Sequence, residues 1–188
     1  MNPDILLIYP PHDVRFYQPI GLPTLATHLI KQGMKVEILD AVAEGFNHQQ
    51  VIKFIMKNDP DAIGVSIPFT EMAVSGKKLI ELCETVFPDK RVWIGGHHAE
   101  VSCGVYSPST ISPDTIPSWN LMPIDKYDLS LYLSTKERAF PIQSSYGCPY
   151  SCAFCTNSKK SDPVRYKSID CVIEEIKYVI ATLSLIHI

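Results

Sequence analysis

No apolar run in these 188 residues is long enough to span a bilayer, so no transmembrane helix is expected. The N-terminus lacks the basic n-region and cleavage site of a signal peptide, which points to a cytoplasmic protein. Basic clusters are absent too: 17 Lys and Arg face 20 Asp and Glu, a formal net charge of −3. That balance gives no footing for nucleic acid or an anionic membrane surface. Internal repeats and low-complexity tracts are missing. No G-x-G-x-x-G follows the first apolar run, which excludes the dinucleotide fingerprint. With six cysteines and no export signal, a reducing compartment and metal binding are expected rather than a disulfide framework. The length allows one core of ordinary size and part of another.

What is there alternates. Ile5-Leu6-Leu7-Ile8-Tyr9 is a continuous apolar run closed by Pro10-Pro11, as for a strand buried on both faces. A helix over about Leu22–Gln32 follows, with Gly33 suited to its C-terminal cap, then a strand over Val36–Asp40. Asn47 caps a helix running to about Lys57, whose apolar stripe is Val51, Ile52, Ile55 and Met56. A third strand covers Ala62 to Ile67, a helix Glu71 to Phe87, and a fourth strand Val92–Ile94, which runs into Gly95-Gly96. This rhythm means βαβ units, a parallel sheet and ligands at the carboxyl ends of its strands. Those ends are Pro10–Gly21, Asp40, Ser66–Thr70 and Gly95–His98. Gly95-Gly96 reads either as a simple tight turn or as a close approach to a ligand. His97 is either a contact to a cofactor's rim or a solvated loop residue, His28 packs or faces water, and Met34, Met56 and Met72 read as core fillers.

Three of the six cysteines, Cys148, Cys152 and Cys155, stand at C-x3-C-x2-C spacing in a Gly/Pro/Ser-containing turn behind a strand expected over Phe140–Tyr146. A strand running into a tight loop can aim three thiolates at one point, as an iron–sulfur cluster requires, leaving one iron of a 4Fe–4S cluster for another ligand. Zinc with Cys171 as fourth ligand, disulfide partners and unrelated thiols are the alternatives.

The stretch GCPYSCAFC resembles the radical S-adenosylmethionine enzymes, with Phe154 in the aromatic place of their C-x3-C-x-aromatic-C pattern. The resemblance implies that Cys148, Cys152 and Cys155 hold a 4Fe–4S cluster and that S-adenosylmethionine, next to Phe154, chelates the fourth iron. One electron then cleaves it to a 5′-deoxyadenosyl radical. ILLIYPP, PIGLPTLATHLIKQGMKVEILD, DAIGVSI and VWIGGHHAEV, within residues 4–101, resemble the cobalamin-binding domain found ahead of many such modules. That likeness implies cobalamin contacts at Ser66, Gly95, Gly96 and His97, with the nucleotide tail between the third and fourth strands. The D-x-H-x-x-G loop of other cobalamin proteins is missing, since His12 precedes Asp13, so the cobalt's lower face is expected to carry no protein imidazole. Relatives have a further strand and helix with a Gly-Glu-rich stretch, so the sheet is expected to be one βα unit short.

The expected fold class is therefore α/β: a doubly wound parallel Rossmann-like cobalamin-binding domain over 1–104, then the start of a truncated (β/α) radical S-adenosylmethionine barrel. A Pro-rich linker covers 105–139, within which Trp119–Tyr127 resembles the family's lead-in segment. The first βα unit covers 140–182, where Arg165-Tyr166-Lys167-Ser168 resembles the family's step into the first barrel helix. Ser168 caps that helix and Val172, Ile173, Ile176, Val179 and Ile180 form its buried stripe. Residues 183–188 match what the mosaic end of a transposase sequencing adapter encodes, so they are expected to be a non-native tail on a fragment inactive by itself. The function implied is methylation or ring formation on a small-molecule substrate, with an electron donor such as a flavodoxin or ferredoxin and neither nucleic acid nor membrane as partner. The competing readings are a non-catalytic cobalamin or iron–sulfur module and a zinc-stabilised Rossmann-like domain.

Overall fold

The structure is a computed structural model that describes residues 2–13, 18–99, 111–127, 140–155 and 163–183. Cys103, the rest of the segment 105–139 and the tail beyond residue 183 lie outside the described residues. The chain forms two compact units, Met1–Pro108 with Pro117–Tyr127, and Ser109–Ile116 with Asp128–Ile188.

In the first unit, β1 (Ile5–Tyr9), β2 (Val36–Asp40), β3 (Ala62–Ser66) and β4 (Arg91–Gly95) form one parallel sheet in the order β2-β1-β3-β4. All five residues of β1 are buried, because a central parallel strand is covered on both faces. The helices are α1 (Gly21–Lys31), α2 (Ala41–Glu44), α3 (His48–Asn58) and α4 (Ala73–Val86). For this strand order, the right-handed crossovers that parallel sheets favour place α1 on one face and α3 and α4, which touch each other, on the opposite one. The core is Leu6, Leu7 and Ile8 of β1, Ile63 and Val65 of β3, Val51 and Ile55 of α3, and Leu79 of α4. Each such side chain contributes about 1.5–3 kcal/mol by leaving water. At the outer edge β4 is only half covered, and Trp93 is 57% exposed.

Local signals place most of these boundaries. Asn47 forms a reciprocal capping box with Gln50 at the start of α3. Gly33 takes φ +88° after α1, as its place beyond a helix end requires. Two expectations are corrected and one element is added. Met56 is 62% exposed, because the buried line of α3 is Val51–Ile55 and Met56 lies one position round the helix. The helix expected from Glu71 opens as a 3-10 turn, Thr70–Met72, before α4. The additional helix α2 exists because Asp40 accepts from the N–H groups of Val42 and Ala43, both at 2.9 Å, while Gly45 at φ +68° stops it after one turn.

Within the stretch read as linker, residues 117–127 are packed into the first unit. Trp119, Met122 and Ile124 are buried on two 3-10 turns, Trp119–Leu121 and Ile124–Lys126. The Ser118 N–H donates to the Pro23 carbonyl at 3.0 Å, and the Ser118 and Thr27 hydroxyls meet at 2.7 Å.

In the second unit the strand expected over Phe140–Tyr146 shortens to β5 (Ser145–Tyr146), paired antiparallel with β6 (Arg165–Tyr166). A barrel strand is not formed there among the described residues. Helix α5 (Ile169–Leu183) follows, with the Ser168 hydroxyl accepting from Cys171 N–H at 3.3 Å. Of the expected stripe Val179 is buried, Val172, Ile176 and Ile180 are half-buried and Ile173 is 44% exposed; the fully buried line is Cys171, Glu175 and Val179. Glu175 is inside because it has an interior partner, Lys167.

Candidate functional site

The order β2-β1-β3-β4 reverses direction between β1 and β3, and in open parallel sheets ligands gather outside the carboxyl ends at such a point. The edge carries Asp40 after β2, Pro10 to Asp13 after β1, Ser66 and Ile67 after β3, and Gly95 to His98 after β4. Of the predicted contacts, Ser66 and Gly95 face each other in the β3–β4 register. Ile67 N–H donates to the Gly95 carbonyl at 2.7 Å, and His98 N–H to the Ile67 carbonyl at 3.1 Å, so the two strand ends are tied.

The two glycines do different things. A Cβ on Gly96, at φ +98°, would stand 2.6 Å from the Ile67 carbonyl carbon and 2.9 Å from its nitrogen. Gly96 is there to let two backbones of the protein touch. A Cβ on Gly95 would meet nothing within 4 Å, so that position borders open space at the ligand-facing edge. A group entering close to the backbone fits at Gly95. His97 is exposed and His98 half-buried, with His98 Nδ1 3.2 Å from the Thr70 hydroxyl.

A cleft of about 690 Å3 opens farther along, lined among others by His12, Asp13, Phe46, His48, Ser75 and Lys78. Ser66, Gly95, Gly96 and His97 do not line it. The Ser75 hydroxyl donates to the Pro11 carbonyl. His48 Nε2 lies 3.0 Å from the Ser75 carbonyl and 3.1 Å from its hydroxyl oxygen. A carbonyl only accepts, so Nε2 carries the proton, and His48 braces this wall instead of acting as a base through that nitrogen.

Asp40 is the buried charge of the edge, 2% exposed. Burial pushes its carboxyl above the usual range, while the Tyr127 hydroxyl and the Ala43 and Val42 N–H groups pull it back down. Burial, and then the charge of Asp40, raise Tyr9 to about 12. Sequence reasoning placed Asp40 at the edge but had no signal for Tyr127, which is 87 positions away.

In the second unit Cys148 and Cys152 are exposed and Cys155 half-buried, and none is in a disulfide. Gly147 at φ +90° turns the chain out of β5 into the loop, against the Pro163 carbonyl. Cys155 N–H closes a turn on the Cys152 carbonyl at 3.0 Å. Phe154 is 90% exposed and Tyr150 73%. Among the described residues no three His, Cys, Asp or Glu side chains surround a point that could hold one metal ion. The expected convergence of the thiols is therefore not preformed. The zinc alternative needs ligands about one ion, and Cys171 is buried on α5. A cubane instead takes one thiolate per iron, and three thiols on an exposed loop suit that donor set, with ordering on binding.

Residues 14–103 match the family model described as B12 binding domain. A cytidylyl-2-hydroxyethylphosphonate methyltransferase of Streptomyces wedmorensis is 32% identical over 117 residues, covering 53% of this chain and 22% of that relative. An uncharacterized methyltransferase of Pyrococcus horikoshii is 23% identical over 236 residues, covering 92% of this chain and 49% of that relative. The chain thus spans about half the length of one curated relative and about a fifth of the other. No solved structure matches significantly. Among the described residues no helix is long and apolar enough to cross a membrane.

Proposed function

We propose that this chain belongs to a cobalamin-dependent radical S-adenosylmethionine methyltransferase, acting on a small molecule and taking electrons from a flavodoxin- or ferredoxin-like donor. The observation that carries the reading is the order of its parts: a B12-binding-domain match over residues 14–103, then Cys148-x3-Cys152-x2-Cys155 in the next unit. The names of both relatives favour methyl transfer over ring formation.

When bound, a 4Fe–4S cluster would supply the electron that cleaves S-adenosylmethionine to methionine and a hydrogen-abstracting 5′-deoxyadenosyl radical, and cobalamin would supply the methyl group. The chain's own part is to hold these groups. Cys148, Cys152 and Cys155 provide the thiolates, and exposed Phe154 offers an apolar face beside them. At the sheet edge, the open space at Gly95 admits a group close to the β4 backbone, flanked by Ser66 and His97.

The test is anaerobic reconstitution with iron and sulfide, followed by titration with cobalamin. Brown protein with about four irons per chain and a saturable cobalamin spectrum is expected. Colourless protein that retains zinc, or iron loading with no cobalamin binding, would refute the cluster half or the cobalamin half respectively.

A further inference from the structure

Among the described residues of the second unit is an ion pair with no access to water. The side chain of Lys167 is 0% exposed and that of Glu175 1%, and Lys167 Nζ donates to Glu175 Oε2. Glu175 Oε1 is also buried and has no hydrogen-bond partner among the described residues. A buried pair that is only partly satisfied is a poor source of stability, because desolvation offsets most of its attraction. An apolar pair of similar volume would hold α5 in place as well. What the ion pair adds is direction, since a Lys Nζ and a carboxylate oxygen must meet at one spot.

Lys167 is also the residue that reaches the cysteine loop. Its backbone N–H donates to the Ser144 carbonyl at 2.8 Å, directly before β5. The register Ser145↔Tyr166, Tyr146↔Arg165 continues that link, and Gly147 and Cys148 come next. Arg165 lies 5.7 Å over the Tyr146 ring and donates to the Ile111 carbonyl at 2.9 Å, which steadies the same hairpin. Lys167 is thus fastened by its backbone to the strand that presents Cys148 and by its side chain to the interior of α5.

We propose that Lys167 and Glu175 are positioning residues, a lock that sets where the β5–β6 hairpin, and with it the cysteine loop, stands on α5. The proposal rests on the cluster reading only where iron uptake is concerned. Without the lock the hairpin can shift, and three thiolates on a loop that must order around its metal lose their common register.

The experiment compares wild type, Glu175→Gln, Lys167→Arg and the double variant Lys167→Met/Glu175→Leu by two readouts. Amide hydrogen exchange on metal-free protein follows peptides over 140–155 and 163–168, with β1–β4 as internal control. Iron and sulfide content and the visible spectrum follow after reconstitution. In Glu175→Gln and in the double variant, exchange over the hairpin should accelerate about tenfold while β1–β4 stay unchanged. Their iron content should fall by about half or more. Lys167→Arg, which brings two N–H groups to the carboxylate, should keep wild-type exchange and iron. The double variant separates a lock from mere packing: if apolar replacement restores both exchange and iron uptake, the proposal is wrong. Unchanged exchange and spectrum in Glu175→Gln also overturn it. Failure of the wild type to take up iron overturns the cluster reading instead, and the exchange measurement alone then decides the lock.

Discussion

Tyr127 donates its phenolic hydrogen to Asp40 Oδ2 at 2.5 Å, closing a packed segment onto the carboxyl end of β2. Asp40 simultaneously accepts two backbone N–H groups of α2, so one buried carboxylate organises the edge of the sheet from both sides. Lys126 makes a neighbouring ion pair with Glu44.

Tyr127→Phe should therefore destabilise the first unit by about 1–3 kcal/mol at neutral pH, since it leaves Asp40 short of a donor. The pH dependence follows from the sign of the shift. Asp40 is already raised above its ordinary 3.8 by burial, and the tyrosine hydrogen bond opposes that rise. Removing it raises the folded value further, so the deficit should be smallest at low pH, where the carboxyl is protonated in both folded proteins, and grow above 3.8 as pH climbs through the wild type's raised folded value towards the variant's higher one. Urea denaturation at several pH values measures this; a deficit independent of pH would rule it out.

The neighbouring glycines should respond differently to the same change. Gly96→Ala forces a Cβ to within 2.6 Å of Ile67 backbone at φ +98°, and should cost about 2 kcal/mol or more. Gly95→Ala meets open space and should fold within about 0.5 kcal/mol of wild type. Cobalamin affinity of Gly95→Ala should nonetheless drop about tenfold, read by spectral titration. Unchanged affinity would remove Gly95 from the site. The bound cofactor should show a base-off spectrum that His12→Ala does not alter.

Among the cysteines, loss of iron should divide the chain cleanly. Ala at Cys148, Cys152 or Cys155 should each abolish the chromophore, whereas Cys83→Ala and Cys171→Ala should keep it. Cys83 is buried on α4 and Cys171 on α5, away from solvent. Full iron in Cys152→Ala, or its loss in Cys171→Ala, would reassign the ligands.

Alkaline titration should weaken the first unit before general base denaturation. Burial raises Cys83 from 9.0 to about 12 and Tyr9 from 10.0 to about 12. Between those values the unfolded chain has lost protons that the folded chain keeps, so unfolding free energy falls as pH rises, by about 1.4 kcal/mol per pH unit for each group. Tyr9→Phe should flatten the fall that begins near pH 10. An identical slope in wild type and variant would mean that Tyr9 titrates normally.

Much of this was legible in the chain itself. β1 to β4, the Asn47 cap, the Gly33 helix end, the Ser168 cap and the spacing of Cys148, Cys152 and Cys155 are local facts. Each depends on residues within a turn or a strand of one another, so side-chain period and backbone preference suffice. The same local rule was incomplete on α5: Val179 is buried as its period requires, but Glu175 also went inside because Lys167, eight positions earlier, was there to meet it.

Tertiary structure alone decided the rest. Gly95 and Gly96 are the same residue type in consecutive positions, and only the backbone of Ile67 against one of them separates a structural glycine from an open one. Tyr127 finds Asp40 through the packing of Trp119, Met122 and Ile124, in a stretch whose prolines read as linker. β5 is two residues long, paired with an equally short antiparallel β6. Periodicity records which face of an element is apolar, but it carries no information on which distant group will arrive there, and hydrogen bonds, close backbone approaches and buried charges are fixed by that arrival.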